Sequence, residues 1–191
     1  MKKDELRRIY LAKRKALSPI EHSQLSQQLC DQFFNTVDLT QVSVLHIYLP
    51  IEAKREPDTW LIIKRIQKEF SRIRIAIPRV NHEELDSIEY QSHAQLKKNE
   101  WQIWEPHYGS HVNSKEIDLL IIPLLVFDVQ GHRIGYGRGY YDRFSKSCRA
   151  DCIKVGLSFF EPEKTITERL EVDLRMNECI TPNKKYLFNT Y

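Results

Sequence analysis

The sequence of 191 residues lacks a long hydrophobic run. Its longest apolar segment, residues 119–127, is interrupted by Pro123 and is far shorter than the roughly 20 apolar residues that a membrane-spanning helix needs. The N-terminus also lacks the apolar core of a secretory signal peptide. These absences argue against a membrane or secreted class, and we expect a cytoplasmic protein whose mature chain begins near its first residue.

Cysteine is scarce as well. The four residues, Cys30, Cys148, Cys152 and Cys179, form neither a C-x-x-C pair nor a zinc-finger spacing. Free thiols in a reducing cytosol fit this pattern better than a disulfide framework.

The chain carries no strong excess of either charge, since its net charge is +3. The basic residues are nevertheless concentrated at the start, where residues 1–17 hold seven basic and two acidic side chains. Such a segment is compatible with contact to nucleic acid, a membrane surface or a nucleotide, and equally with a solvated helix face. A surface that binds nucleic acid interleaves basic and aromatic residues, whereas the basic residues here are concentrated in one predicted helix. We therefore expect neither a nucleic-acid nor a membrane partner.

Hydrophobic periodicity predicts helices that alternate with strands. The predicted helices cover residues 3–17, a segment that begins after a Ser18-Pro19 cap, a segment from Pro57 and a segment from Tyr140. The predicted strands are residues 42–48, 73–77 (ending at Pro78), 87–91 as an edge strand, 118–122, 153–157 and 178–181, and residues 92–116 are predicted to be irregular. This alternation is typical of a three-layer α-β-α fold with a mostly parallel sheet. Because no repeat or flexible linker interrupts it, we expect one domain over residues 1–191.

Glycine is rare too, but four of the six glycines lie within residues 131–139, which we call the glycine segment. Arg133 and Arg138 lie among them, and a Tyr-Tyr-Asp-Arg run that is expected to open a helix follows. Exposed backbone amides, a helix N-terminus and arginine together favour phosphate. The segment lacks the Gly-Lys-Ser/Thr of a Walker A loop, and Tyr140 replaces the last glycine of a G-x-G-x-x-G motif. We interpret it as a phosphate-binding loop; the alternative is a turn with solvated arginines.

Further motifs accompany the glycine segment. They are K-x-x-L-R at residues 3–7, Y-L-P at 48–50 with E-P-D-T at 56–59, I-P-R at 77–79, Trp101 with E-P at 105–106, and D-L-L-I-I-P at 118–123. Residues 127–142 match the pattern F-D-x-x-G-x-R-L-G-x-G-x-G-Y-Y-D, with isoleucine in place of the leucine. In this order the motifs resemble the 5-formyltetrahydrofolate cyclo-ligase family, from about residue 3 to about residue 181.

The resemblance implies an enzyme, expected to be a monomer, that uses ATP and Mg²⁺ to convert 5-formyltetrahydrofolate to 5,10-methenyltetrahydrofolate, ADP and phosphate. By the same resemblance Arg138 and Tyr140 are catalytic, Asp142 and Asp173 bind the metal, and Leu49, Glu56, Trp101 and Tyr140 bind the folate. The implied ATP-binding residues are Lys3, Asp4, Glu5, Leu6, Arg7, Arg133, Ile134, Gly135, Tyr136, Gly137, Arg138, Gly139, Tyr140 and Tyr141. From the residues alone, Asp142 can instead cap the helix that it begins.

The chain departs from the family pattern at several positions. Leu124 and Val126 stand where many members have glycines, and Asn177 replaces a second aspartate near Asp173. The same α/β architecture is similar to that of sugar-phosphate isomerases and CoA transferases, so fold alone does not decide function. A phosphate-binding isomerase or transferase that does not use ATP is therefore the alternative function.

Overall fold

The computed structural model describes residues 2–100, 102–167 and 173–188. Its helices are α1 Lys3–Ala16, α2 Pro19–Thr36, α3 Trp60–Glu69 and α4 Tyr140–Ser147. Its strands are β1 Val44–Ile47, β2 Arg74–Asn81, β3 Glu84–Glu89, β4 Leu96–Lys98, β5 Trp104–Pro106, β6 Leu119–Ile122, β7 Val126–Phe127, β8 Arg133–Ile134, β9 Ile153–Leu157, β10 Glu178–Ile180 and β11 Lys185–Leu187. Within these ranges no helix has both the length and the apolar character to cross a bilayer. All four cysteines are free and buried.

Seven strands form a central sheet in the order β11-β10-β9-β6-β1-β2-β3. The five inner strands run parallel, and the edge strands β11 and β3 are antiparallel to their neighbours. In the middle, Leu45 of β1 is aligned with Ile75 on one side and with Leu119 on the other. The mostly parallel sheet with flanking helices confirms the predicted α/β class.

The inner strands are covered on both faces. Every residue of β1 and β6 is buried, as expected for parallel strands between helices. On one face of β1, His46 contacts the rings of Tyr141 and Phe144 in α4. Alternate residues of a strand point to opposite faces, so Leu45 and Ile47 point away from α4. The buried residues of α2 and α3 belong to the same core.

The two N-terminal helices form as the periodicity predicts. Ser18 caps α2: its hydroxyl accepts the backbone N–H of Glu21, whose side chain accepts the N–H of Ser18 in return. Helix α1 buries Leu6, Tyr10 and Arg14 along one face. The first two belong to a small core between α1 and the β7–β8 hairpin.

Four strand predictions needed correction. Strand β2 does not end at Pro78 but continues to Asn81, because its pairing with β3 extends beyond the last residue that pairs with β1. Pro78 therefore has a paired strand on one side only, and proline is tolerated at such an edge. Residues 92–116 include the small β4–β5 sheet, and β7 with β8 forms a hairpin around the first glycine of the glycine segment. Strand β11 was not predicted at all.

The connections of β1 define the position of a crevice. From β1 the chain first adds β2 on one side and later β6 on the other, so the strand order reverses at β1. In open α/β sheets, ligands bind in the crevice at the carboxyl ends of the strands at such a point. Tyr48 and Leu49 follow β1 here, and Pro123 follows β6.

Candidate active site

A cleft of about 960 Å³ opens at this crevice. Its volume lies within the range of small-molecule sites. It is lined by the ends of β1, β2 and β6, by the start of α1, by the glycine segment with the start of α4, and by the β4–β5 region. The predicted site residues found along it are Lys3, Arg7, Leu49, Glu56, Arg133, Ile134, Gly135, Tyr136, Gly137, Arg138, Gly139, Tyr140, Tyr141, Asp142 and Asp173.

The glycine segment lies against α1 in a conformation that glycine favours. Gly137 and Gly139 have φ angles of +92° and +70°, in the left-handed region. A Cβ added to Gly137 would lie 3.3 Å from the Cζ of Arg7, whose Nε donates to the carbonyl of Gly135 at 3.0 Å. The motif at residues 3–7 is thus brought onto the glycine segment, although more than 120 residues separate them in sequence.

Two carboxylates lie beside the glycine segment. Asp142 Oδ1 accepts from the Arg133 guanidinium and from the backbone N–H of Leu174, both at 2.9 Å. The second bond brings residue 173 next to α4, where Asp173 forms an ion pair with Lys3 at 2.6 Å. Asp142 therefore does not cap α4, whose cap residue is Gly139. Its Oδ2 makes no hydrogen bond within the described residues, so the side chain retains an oxygen for a further ligand.

We call the residues around these contacts the charged wall of the cleft: Lys3, Arg7, Arg133, Arg138, Asp142, Asp173 and the glycine segment. Among the described residues, the guanidinium of Arg138 has no hydrogen bond or ion pair. Two buried polar atoms of the lining, Arg133 Nε and Tyr141 Oη, also have no hydrogen-bond partner there. Buried donors are normally satisfied, so these two atoms are unusual among the polar groups at the cleft.

A second set of lining residues is apolar. We call it the apolar wall, and it consists of Leu49, Pro78, Val80, Leu85, Ile103 and Trp104. These side chains come from the end of β1, from β2, from β3 and from the region of β5. An aromatic and apolar surface of this kind suits a flat heteroaromatic ring. Tyr140 joins this region to α4, since its hydroxyl donates to the carbonyl of His82 at 3.3 Å.

Glu56 is the one carboxylate of the lining that is almost completely buried, with 3 % of its surface exposed. Its Oε2 accepts the backbone N–H of Ile51 at 2.7 Å, and its Oε1 accepts the hydroxyl of Tyr136 at 2.6 Å. Burial raises the pKa of this carboxyl above its ordinary value, while the positive charge of Arg14 and these hydrogen bonds oppose the rise. Beside it, burial lowers the pKa of Lys54, whose ammonium lies 3.7 Å from the centre of the Tyr136 ring.

Some of the predicted residues do not reach the cleft. Leu6 is buried in the small core under α1, and the side chain of Asp4 is 92 % exposed and pairs with Arg7. Glu5 is exposed and does not line the cleft. The prediction for Trp101 lies outside the described residues.

The departures from the family pattern have structural explanations. Leu124 is buried, and its Cδ2 fills the space that a Cβ on Gly156 would need, with only 2.6 Å between them. Val126 belongs to the small core under α1. Asn177 pairs with β9 instead of facing the cleft, since its Oδ1 accepts the N–H of Lys154 at 2.8 Å.

Sequence reasoning missed several lining residues and one residue behind them. Lys54, Trp104, Arg143 and Lys146 line the cleft. Arg14 is buried behind it, with 3 % of its surface exposed. The helical spacing of Arg14 with Leu6 and Tyr10 indicates that it faces inward, a signal that the interpretation of the basic residues of α1 as a solvated face does not use.

The comparisons with known proteins agree with this geometry. The model of the 5-formyltetrahydrofolate cyclo-ligase family matches residues 1–170. The chain belongs to the 5-formyltetrahydrofolate cyclo-ligase family. It is therefore a member of an enzyme family, as the resemblance implied.

Individual relatives cover most of the chain. The 5-formyltetrahydrofolate cyclo-ligase of Mycoplasma genitalium is 28% identical over 160 residues, which are 82% of this chain and 84% of the relative. The enzyme of that name from Escherichia coli K12 is 24% identical over 178 residues, which are 90% and 96%. Among solved structures, the 5,10-methenyltetrahydrofolate synthetase of Aquifex aeolicus has a TM-score of 0.86 at 28% identity, with 100% of this chain and 95% of that chain covered.

Proposed function

We propose that this protein converts 5-formyltetrahydrofolate to 5,10-methenyltetrahydrofolate with MgATP and releases ADP and phosphate. The observation that carries the proposal is that one cleft joins a glycine segment with arginines, two carboxylates and an apolar wall. The names of the relatives support the same activity. We assign the nucleotide phosphates and the metal to the charged wall and the folate to the apolar wall.

The chemistry explains why a site of this kind is needed. A formamide oxygen is a poor leaving group, so transfer of the γ-phosphoryl group to it turns the oxygen into phosphate. N10 of the folate then attacks the formyl carbon, the new C–N bond forms, the C–O bond breaks as phosphate departs, and the N10 proton is released to water. Both steps depend on alignment of the reacting atoms and on neutralisation of developing charge, more than on a strong acid–base pair.

The residues of the charged wall are suited to this task. Arg138 is exposed in the lining of the cleft, and its guanidinium has no partner in the described parts of the chain, which supports our assignment of it to neutralise the transferred phosphoryl group. Lys3 and Arg7, on the first two turns of α1, bind the nucleotide in the ground and transition states alike. Tyr140 links the two walls through its place at the start of α4 and its contact with His82.

The carboxylates fit a magnesium ion that is held mainly by phosphate oxygens. Mg²⁺ commonly uses one or two protein carboxylates together with substrate phosphates and water, and it supplies positive charge at those phosphates. Within the described residues Asp142 Oδ2 has no hydrogen-bond partner, and Asp173 is held next to Asp142 through residue 174. Arg133 and Lys3, which pair with these carboxylates, are then available to the phosphates.

The folate is assigned to the apolar wall and Glu56. Leu49 and Trp104 offer apolar contact to the pterin ring, and Tyr140 borders the same space. Glu56 has the chemistry to accept hydrogen bonds from pterin N–H groups. Trp101 remains a proposed folate contact from the resemblance.

The decisive experiment incubates purified protein with 5-formyltetrahydrofolate and follows methenyl product by absorbance and phosphate by a coupled assay. We expect both products in equal amounts, and only when ATP and Mg²⁺ are present. No methenyl product from folded protein with MgATP would falsify the proposal. Turnover of a phosphorylated sugar without ATP would instead favour the isomerase or transferase alternative.

A further inference from the structure

Three polar side chains at the cleft form a connected set that we call the polar bridge: the lining residues Tyr136 and Glu56, and Arg14, which is buried behind them. The Arg14 guanidinium donates to the hydroxyl oxygen of Tyr136, and that hydroxyl donates to Glu56 Oε1 at 2.6 Å. Arg14 and Glu56 are both buried, and Tyr136 is half-buried. Hydrogen bonds that involve charged groups away from water are the strong ones, so this bridge fixes its members in place.

The bridge joins three parts of the protein that are distant in sequence. Arg14 belongs to α1 and also donates to the carbonyls of Lys54 and Leu124, at 2.8 and 3.1 Å. Tyr136 belongs to the glycine segment, and Glu56 belongs to the loop that follows β1. The bridge is thus a direct connection between the segment that we assign to the nucleotide and the carboxylate that we assign to the folate.

The contacts of Tyr136 occupy its hydroxyl group, which is therefore not available to bind a phosphate. Its hydroxyl is occupied on both sides, as acceptor from Arg14 and as donor to Glu56. One face of its ring is covered by the Lys54 ammonium. The pattern matched by residues 127–142 does not specify the residue at position 136. The bridge therefore depends on the tyrosine that this chain has there.

We propose that Tyr136 is a positioning residue that holds Glu56 in its folate-binding orientation and thereby couples ATP binding to folate binding. The inference rests on the proposed function, because it takes Glu56 as a folate ligand. A nucleotide that orders the glycine segment also fixes Tyr136, and through it Glu56. Folate therefore binds more tightly to the ATP-loaded protein, and by reciprocity ATP binds more tightly to the folate-loaded protein.

The test is Tyr136→Phe, which keeps the ring and its contact with Lys54 but removes the hydroxyl. We expect the KM for folate at saturating ATP to rise about tenfold, and the KM for ATP at saturating folate to rise by a similar factor because the coupling is reciprocal, while kcat stays within about twofold of the parent enzyme. The matched control is Tyr186→Phe, which removes a tyrosine hydroxyl that donates to Glu161 away from the cleft. It should leave all three constants unchanged.

A double-mutant cycle shows whether Tyr136 acts through Glu56. In a Glu56→Gln background, Tyr136→Phe should have little further effect on folate affinity, because the carboxylate that it positions is gone. Arg14→Lys, which keeps the charge but loses the fork geometry, should give the same loss of folate affinity. If either bridge variant is unstable by thermal melting, the other still provides the measurement.

Direct binding separates the two proposals. Folate binding is measured by titration with and without a non-hydrolysable ATP analogue. If the parent protein binds no folate, the proposed function and this inference both fail. If the parent binds folate and Tyr136→Phe has the same affinity and the same gain from the analogue, only the inference is overturned. Weaker binding of the ATP analogue to Tyr136→Phe in the absence of folate, or a full effect of Tyr136→Phe in the Glu56→Gln background, would also overturn it.

Discussion

The two walls of the cleft are built in different ways. The charged wall takes most of its residues from the continuous run at residues 131–142 and completes it with α1 and Asp173, through ion pairs and hydrogen bonds at defined atoms. The apolar wall takes its residues one or two at a time from β1, β2, β3 and the β5 region. Phosphate recognition needs many donors in a small space, whereas an apolar ring needs only area, which any strand end can supply. The first wall is therefore visible as a motif and the second is not.

The largest effect should come from the metal site that we propose in the charged wall. Asp142→Asn keeps an oxygen for the N–H of Leu174 but removes the charge that a hard cation prefers. We expect a folded protein of near-normal stability whose kcat/KM falls at least about 100-fold. Raised Mg²⁺, or Mn²⁺, should restore part of the loss, and Asp173→Asn should show a milder form of it.

A suitable control is Asp86→Asn, which breaks a similar arginine pair, with Arg79 at 3.0 Å, outside the lining of the cleft. Its activity should not depend on the metal concentration more than that of the parent enzyme. Full activity of Asp142→Asn at low Mg²⁺ would mean that the metal site lies elsewhere.

A slightly smaller effect is expected for Arg138 of the same wall, whose guanidinium has no partner within the part of the chain that the structure describes. Arg138→Ala should lower kcat by about 100-fold with little change in the KM for folate, because the guanidinium neutralises charge that develops during phosphoryl transfer. Steady-state kinetics against both substrates measures this. Arg8→Ala, an exposed arginine of α1 away from the cleft, is the control. Unchanged turnover of Arg138→Ala would show that the side chain is only solvated.

The division of labour between the walls is tested by a pair of variants with opposite results. Arg7→Ala should raise the KM for ATP about tenfold and leave the KM for folate nearly constant, because it removes uniform binding of the nucleotide. Trp104→Leu should raise the KM for folate several-fold, by loss of aromatic contact, and spare the KM for ATP. If both KM values changed together in either variant, the assignment of the nucleotide to the charged wall and of the folate to the apolar wall would be wrong.

The smallest expected effect is a change in how the free energy of unfolding depends on pH, caused by a buried histidine of β1 that contacts α4. His46 is fully buried between β1 and α4, with its Nδ1 2.8 Å from Ser87 Oγ of β3, and burial lowers its pKa to about 3. The unfolded chain takes up a proton below pH 6.5, while the folded protein does not until near pH 3. The free energy of unfolding should therefore fall by at most about 1.4 kcal/mol for each pH unit as the pH drops below 6.5.

His46→Gln removes this titration and should flatten the curve of urea-unfolding free energy between pH 7 and pH 5. His107→Gln, at an exposed histidine, should leave the curve as it is in the parent protein. Equal pH dependence in His46→Gln and the parent protein would show that the acid sensitivity arises from other groups.

The parts of the fold that were predicted correctly are those with strong local signals. Strand β9 was predicted at its exact bounds, and β6 within one residue, because β6 is a short apolar run and β9 carries apolar residues at alternate positions. The cap of α2 follows from the residues of its first turn alone. The β4–β5 sheet and β11 were missed because their residues have no clear alternation, so pairing with a neighbouring strand decides their structure.

The same distinction applies to the site. The sequence by itself determined the glycine segment, the family and most of the charged wall, because phosphate-binding residues of this kind lie close together in the chain. Only the tertiary structure decided that Arg14 is a buried donor and not a solvated charge, that Asp142 pairs with Arg133, and that scattered apolar residues form one wall. The helical spacing of Arg14 indicates which face of α1 it lies on, but its partners, the Asp142–Arg133 pair and the apolar wall all depend on how the chain folds back on itself, which no local pattern encodes.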